Sequence, residues 1–119
     1  MLAGVVLAGA GPAGSRALEP QPVVVPVVAE RFSFTPSEIR VPARVPVELR
    51  IRSADTMHGF RIVGRQVNVA VPKRRQGEAV VRLEALAPGR YRFECSRLCG
   101  AGHHFMRGEI VVVASDGNP

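Results

Sequence analysis

No stretch of this 119-residue chain holds the roughly 20 consecutive apolar residues that a membrane-crossing helix needs, so none is predicted to span a bilayer in that form. Its two cysteines, Cys95 and Cys99, are too few for a disulfide scaffold. Basic residues outnumber acidic ones, 16 to 10, yet only Lys73, Arg74 and Arg75 form a basic run. The others alternate with apolar residues, as in Arg50, Arg52, Arg90 and Arg92. A solvated sheet face places charges in this way, and nucleic acid is therefore not a predicted partner. The formal charge of +6 instead disfavours basic protein partners and favours acidic ones or anionic lipid headgroups. Neither a helical period nor an internal repeat is visible. No serine or carboxylate pair stands out beside the histidines, which leaves hydrolytic catalysis without its groups.

What the chain does contain is a series of short Val-rich runs punctuated by ten prolines and twelve glycines. Val47, Leu49 and Ile51 share one face while Glu48, Arg50 and Arg52 share the other, the period of a half-buried strand. Val67, Val69 and Val71, then Val81, Leu83 and Ala85, then Tyr91, Phe93 and Cys95 repeat the pattern, and Gly108 to Val113 forms a last strand. Turn signals recur between them, such as Pro88-Gly89. Together these features predict an all-β fold, a Greek-key β-sandwich of about eight strands.

Residues 1–21 read as a residual signal or linker segment, 22–114 as the folded domain, and 115–119 as a polar tail. Met1 to Gly14 is small and apolar, and Ala8-Gly9-Ala10 fits the small-residue pattern of a signal-peptidase site. The positive start of a signal is missing, so two readings stand, the remains of an export signal or anchor and a Gly/Ala tail on a cytosolic protein. The run from Glu19 to Val28 reads as a linker becoming an edge strand, because its prolines are tolerated at edges.

The chemistry is concentrated between Cys95 and Met106, where two thiols, two imidazoles and a thioether fall within one loop. Soft sulfur donors with imidazole suit copper. A small disulfide is the competing reading of the cysteine pair, and core packing that of Met106. One metal ion would be satisfied by four nearby ligands, so the second thiol asks for a reason. Two thiolates that each bridge two copper ions supply one, and each ion then needs a terminal imidazole. His103 is one, and His58, in Asp55-Thr56-Met57-His58-Gly59-Phe60, is the available second. Loops at one end of a sandwich lie together, which would bring His58 to the cysteine loop. Asp55 stands either as a hydrogen-bond partner that orients His58 or as a solvated carboxylate. Gly100 and Gly102 let the loop turn tightly.

The spacing Cys-x-x-x-Cys-Gly-x-x-His-x-x-Met, met by Cys95, Cys99, Gly100, His103 and Met106, resembles the CuA-type cupredoxin domain of subunit II of haem-copper (cytochrome c) oxidases, also found in nitrous oxide reductase. The resemblance extends to His58-Gly59-Phe60 and covers about Phe32 to Val113. It implies a cupredoxin-like sandwich that holds two copper ions as a dinuclear CuA centre. It further implies that Cys95 and Cys99 bridge the coppers, that His58 and His103 are terminal ligands, and that Met106 and the backbone carbonyl of Arg97 are weak axial donors. Such a domain transfers electrons without catalysing a reaction alone. Its implied donor is cytochrome c or a similar protein, and its acceptor a haem-bearing oxidase subunit. The implied location is the periplasm or the outer face of the cytoplasmic membrane, with membrane association through a longer N-terminus. A freestanding exported cupredoxin or copper carrier is the alternative. His104 is read as a bystander or docking residue. The chain departs from the pattern at Arg97, where many members carry an acidic or amide side chain, and at Lys73, where many have glycine. It also has no tryptophan, the residue through which some relatives receive electrons.

Overall fold

The computed structural model describes residues 21–119, which form nine strands and one 3₁₀ turn. In chain order the strands are β1 (Val23–Glu30), β2 (Ser33–Thr35), β3 (Glu38–Pro42), β4 (Val47–Ser53), β5 (His58–Ile62), β6 (Val67–Val71), β7 (Glu78–Leu83), β8 (Gly89–Glu94) and β9 (Arg107–Val113). The 3₁₀ turn is His103–Phe105, between β8 and β9. Period-two alternation decides what is buried: Val47, Leu49 and Ile51 of β4 are fully enclosed, while Arg50 and Arg52 face water. Val81 and Leu83 of β7 turn inward in the same way, between exposed Val80 and Arg82.

The strands make two sheets, ordered β2-β1-β4-β7 and β3-β9-β8-β5-β6. β1 runs parallel to β4 and β3 parallel to β9, whereas the remaining pairs are antiparallel. Between the sheets Phe34, Phe60 and Phe93 form an enclosed trio with ring centroids 4.9 to 5.9 Å apart, two of the pairs edge to face. Edge-to-face contacts add roughly 0.5–1.5 kcal/mol each to the burial of the rings themselves.

Nine strands are present where the sequence suggests about eight, because the turn at Thr35-Pro36-Ser37 separates a three-residue β2 from β3. The proline-rich β1 lies between β2 and β4 rather than at the sheet's edge. Its register explains how Pro26 is accommodated. β2 pairs only with Val28 to Glu30, so β1 is open on that side at Pro26.

This topology gathers loops at one end. β1, β4, β6 and β8 finish there, and β5, β7 and β9 start there, which brings together the turn 31–32 and the loops 54–57, 72–77 and 95–106. Hydrogen bonds tie the loops to one another: the Arg74 N–H donates to the Asp55 carbonyl at 3.0 Å, and the Arg31 N–H to Asp55 Oδ2 at 2.9 Å. The predicted signal segment lies outside the described residues, apart from Gln21. Among the described residues no helix is long and apolar enough to cross a membrane.

Candidate metal centre

The cysteine loop leaves β8 at Glu94 and rejoins the sheet at Arg107, which pairs with Glu94 across the ladder. Its neck is closed by the Cys95 N–H donating to the Met106 carbonyl at 3.0 Å. Inside, the N–H groups of His103, Phe105 and Met106 bond to the carbonyls of Gly100, Gly102 and His103, winding the 3₁₀ turn. The ends are thus fixed by the sheet and the middle by its own backbone, and Cys95, Cys99 and Met106 all face inward, at 6% exposure or less.

His58, the first residue of β5, is fully buried and meets this loop from the facing turn. Its Nδ1 lies 4.0 Å from Cys95 Sγ, and its Nε2 is 2.7 Å from Asp55 Oδ1. Burial pushes the Asp55 carboxyl up, but hydrogen bonds from the Arg31 N–H, the His58 ring and the Thr56 N–H outweigh it and hold the group below its usual range. An ionised carboxylate only accepts, so Nε2 carries the proton. The lone pair of Nδ1 is then left facing the thiols, the arrangement a metal-binding imidazole requires.

The two Sγ atoms are 3.8 Å apart, both as free thiols. Cys99 Sγ lies 3.7 Å from His103 Nδ1 and 3.8 Å from Met106 Sδ, and Cys95 Sγ lies 3.2 Å from the Arg97 carbonyl oxygen. Metal–thiolate bonds of about 2.3 Å, as in zinc sites, give a tetrahedron with edges of about 3.8 Å. The spacings therefore match donor atoms around metal ions, and the set of thiols, imidazoles, thioether and carbonyl suits copper. His58, Cys95 and Cys99 by themselves place three donor atoms within 4.8 Å of one another. Burial, with hydrogen bonding and charge from Cys95, pushes the Cys99 thiol up to about 11, so a metal ion must displace a proton there. A cleft of about 250 Å³ lined by Cys95, His103, His104 and Met106, with Glu94 and Arg107, gives access from solvent.

All six residues singled out in the sequence, His58, Cys95, Arg97, Cys99, His103 and Met106, come together at this end. Sequence reasoning missed the two that brace the loop from the β1–β2 turn. Arg31 Nε donates to the Cys99 carbonyl at 2.9 Å, and the Phe32 ring lies against the backbone of Gly100 and Gly102. A Cβ at Gly102 would stand 2.4 Å from that ring, and Gly100 in addition has φ +144. On the other side Ser96 Oγ donates to Asn68 Oδ1 of β6 at 2.6 Å. Sixty-eight positions separate Arg31 from Cys99, and no local pattern marks the pairing.

Two facing sheets with a buried thiol, imidazole and thioether cluster at one end define a cupredoxin-like domain. A family model described as a cupredoxin-like domain matches residues 1–112. A cytochrome c oxidase subunit 2 of Thermus thermophilus is 39% identical over 94 residues, covering 78% of this chain and 67% of that protein. A second protein of that name and species matches at the same identity over 54% of its length, so the chain spans from about half to two thirds of these curated relatives. The chain belongs to the cupredoxin-like family and, within it, to the cytochrome c oxidase subunit 2 proteins. Among solved structures, the periplasmic domain of subunit II of cytochrome oxidase from Bradyrhizobium japonicum superposes with a TM-score of 0.70 at 19% identity, covering 82% of this chain and 88% of that one. Auracyanin A, a "blue" copper protein from Chloroflexus aurantiacus, gives 0.60 at 16% identity over 77% of this chain and 99% of its own. At these identities the likeness speaks for the fold.

Proposed function

We propose that the chain is an electron-transfer domain that holds two copper ions at the loop-bearing end of the sandwich. One observation carries the reading: two buried thiols stand 3.8 Å apart, and each has an imidazole of its own, His58 beside Cys95 and His103 beside Cys99. Cys95 and Cys99 would bridge the ions, His58 and His103 would cap them, and Met106 and the Arg97 carbonyl would be weak donors. A copper pair supplies a one-electron couple. The chain supplies a ligand set whose positions are fixed by the sheet, the loop hydrogen bonds and the Arg31, Phe32 and Asn68 contacts, which limits rearrangement when the charge changes. Cys95, Cys99 and Met106 are buried, and solvent meets the donor set at the cleft beside the half-buried His103.

As part of a cytochrome c oxidase subunit 2 protein, the domain takes electrons from a cytochrome c or similar donor and passes them to a haem-bearing oxidase subunit, on the outer side of the cytoplasmic membrane. Metal analysis and electron spin resonance of the copper-reconstituted chain test the site. The expected result is two coppers per chain and one unpaired electron shared over both nuclei. Cys99→Ser abolishes that signal, whereas Met106→Leu keeps both coppers and shifts the potential. A single copper with an intense blue absorption, or a Cys99→Ser spectrum identical to the wild type, would sink the bridging role.

A further inference from the structure

The two ends of the sandwich differ in charge. At the metal-bearing end, the turn 31–32 and the loops 54–57, 72–77 and 95–106 carry five cations, Arg31, Lys73, Arg74, Arg75 and Arg97, and one carboxylate, Asp55. Asp55 is held by His58, Thr56 and the Arg31 N–H, and no ion pair among the described residues neutralises any of the five cations. At the next positions along the strands stand Glu30, Glu78, Glu94 and Arg107; Glu78 and Glu94 pair with Arg50 and Arg61 of the sides, which leaves Glu30 and Arg107, one charge of each sign. At the far end, residues 43–46, 63–66, 84–88 and 114–119 carry Arg44, Arg65, Glu84 and Asp116, two of each sign. Along the sides the arginines meet glutamates. Arg40, Arg50, Arg61, Arg82 and Arg90 form ion pairs, while Arg52 and Arg92 stand opposite Glu78 and Glu109 in the ladders.

The net positive charge of the sequence is therefore concentrated around the metal site. Leu98 and Phe105, the two most exposed large apolar side chains among the described residues, stand on the same end, at 80% and 75% exposure, with Met57. Exposed apolar side chains on an end that also carries unpaired cations make a docking surface, and its charge states what docks there.

We propose that this end binds an acidic electron-donor protein, one whose carboxylates surround its exposed redox group. The inference rests on the electron-transfer reading above and adds the chemical class of the donor. Four of the five cations are arginines, whose planar forks pair with carboxylates in two-pronged fashion. They come from three separate segments of this end rather than from one basic strip, and one of them, Arg97, is next to Leu98, so a partner that meets them all also meets the cysteine loop. A lipid surface bound there would cover the face through which the centre exchanges electrons. With copper held by His58, Cys95, Cys99 and His103, such a donor would pass it one electron, a ferrous haem becoming ferric while the copper pair is reduced by one electron, with no bond broken and no proton moved.

The test compares an acidic and a basic c-type cytochrome as probes, against the chain with and without copper. Amide resonances map the contact, and binding is titrated over ionic strength. The acidic cytochrome should perturb residues 31–32, 54–57, 72–77 and 96–105, with an affinity that falls steeply with salt, and the basic one should not saturate. K73Q/R74Q should weaken binding about ten-fold at low salt, the size expected for electrostatic steering, while R44Q/R65Q, with the same loss of charge, changes it less than about two-fold. Equal effects of the two variants, contact at the far end, or preference for the basic cytochrome overturns the proposal. So does a different pattern, in which the acidic cytochrome fails to bind while vesicles of equal parts phosphatidylglycerol and phosphatidylcholine bind and lose the chain on K73Q/R74Q. The binding readout does not depend on copper, so failure to load metal overturns the copper reading alone. Two coppers without charge selectivity overturns the docking alone.

Discussion

Arg31 Nε donates to the carbonyl oxygen of Cys99 at 2.9 Å, while the backbone N–H of the same arginine bonds to Asp55 Oδ2. One residue of the β1–β2 turn thereby ties the thiol loop to the carboxylate that holds His58. The two sides of the metal site belong to different loops, and Arg31 joins them by two hydrogen bonds, one from its backbone and one from its side chain.

Arg31→Ala should cost the copper-free protein about 1–2 kcal/mol, at the low end for a charge-assisted hydrogen bond because Arg31 is exposed to solvent. It should also speed copper loss to a chelator several-fold. Urea titration and competition with a copper chelator measure the two effects. If both stay at the wild-type value, the tie is idle.

Asp55 lies below the usual carboxylate range because its hydrogen bonds favour the charged form. A group with a depressed native value stabilises the fold above its unfolded value, near 3.9, and loses that contribution as pH falls through its native one. Stability should therefore fall on acidification below about pH 4, and Asp55→Asn should remove part of that acid dependence. The variant also replaces the anionic acceptor that fixes the His58 proton on Nε2 by a neutral amide, so copper affinity at neutral pH should drop roughly 10–100-fold, as for other partners of metal-bound histidines. An unchanged affinity would separate Asp55 from the site.

Cys99 has the opposite sign. Its thiol is pushed up to about 11 in the native protein, so the neutral form is the one the fold favours. That stability is complete below the unfolded value, about 8.5, and is lost as pH rises toward 11. The copper-free protein should melt at progressively lower temperature across this window under reducing conditions. Cys99→Ala should flatten the profile, and a wild-type curve as flat as the variant's would refute the assignment.

Gly102 and Phe32 form a steric pair. A Cβ at Gly102 would fall 2.4 Å from the ring, so Gly102→Val should destabilise by about 1–3 kcal/mol, the usual cost of overpacking. Phe32→Ala should recover part of this in the double variant, since residues in direct contact are not additive. Strict additivity in a thermal-melt cycle would show that the two do not touch.

Much of this protein was determined by sequence alone. Alternation of Val47, Leu49 and Ile51 against Glu48, Arg50 and Arg52 sets which side of β4 is buried, because a strand's side chains alternate with period two. The loop from Cys95 to Met106 carries its donor types and spacing in one contiguous stretch, and is legible for that reason. Tertiary structure decided what lies far apart in the chain: that β1 enters the sheet beside β4, that His58 reaches Cys95, and that Arg31 and Phe32 brace a loop some seventy positions away. Charge followed the same division. Composition supplied the excess of cations, but only the return of alternate strands to one end concentrated it around the thiols, because proximity between loops is a property of topology and not of sequence distance.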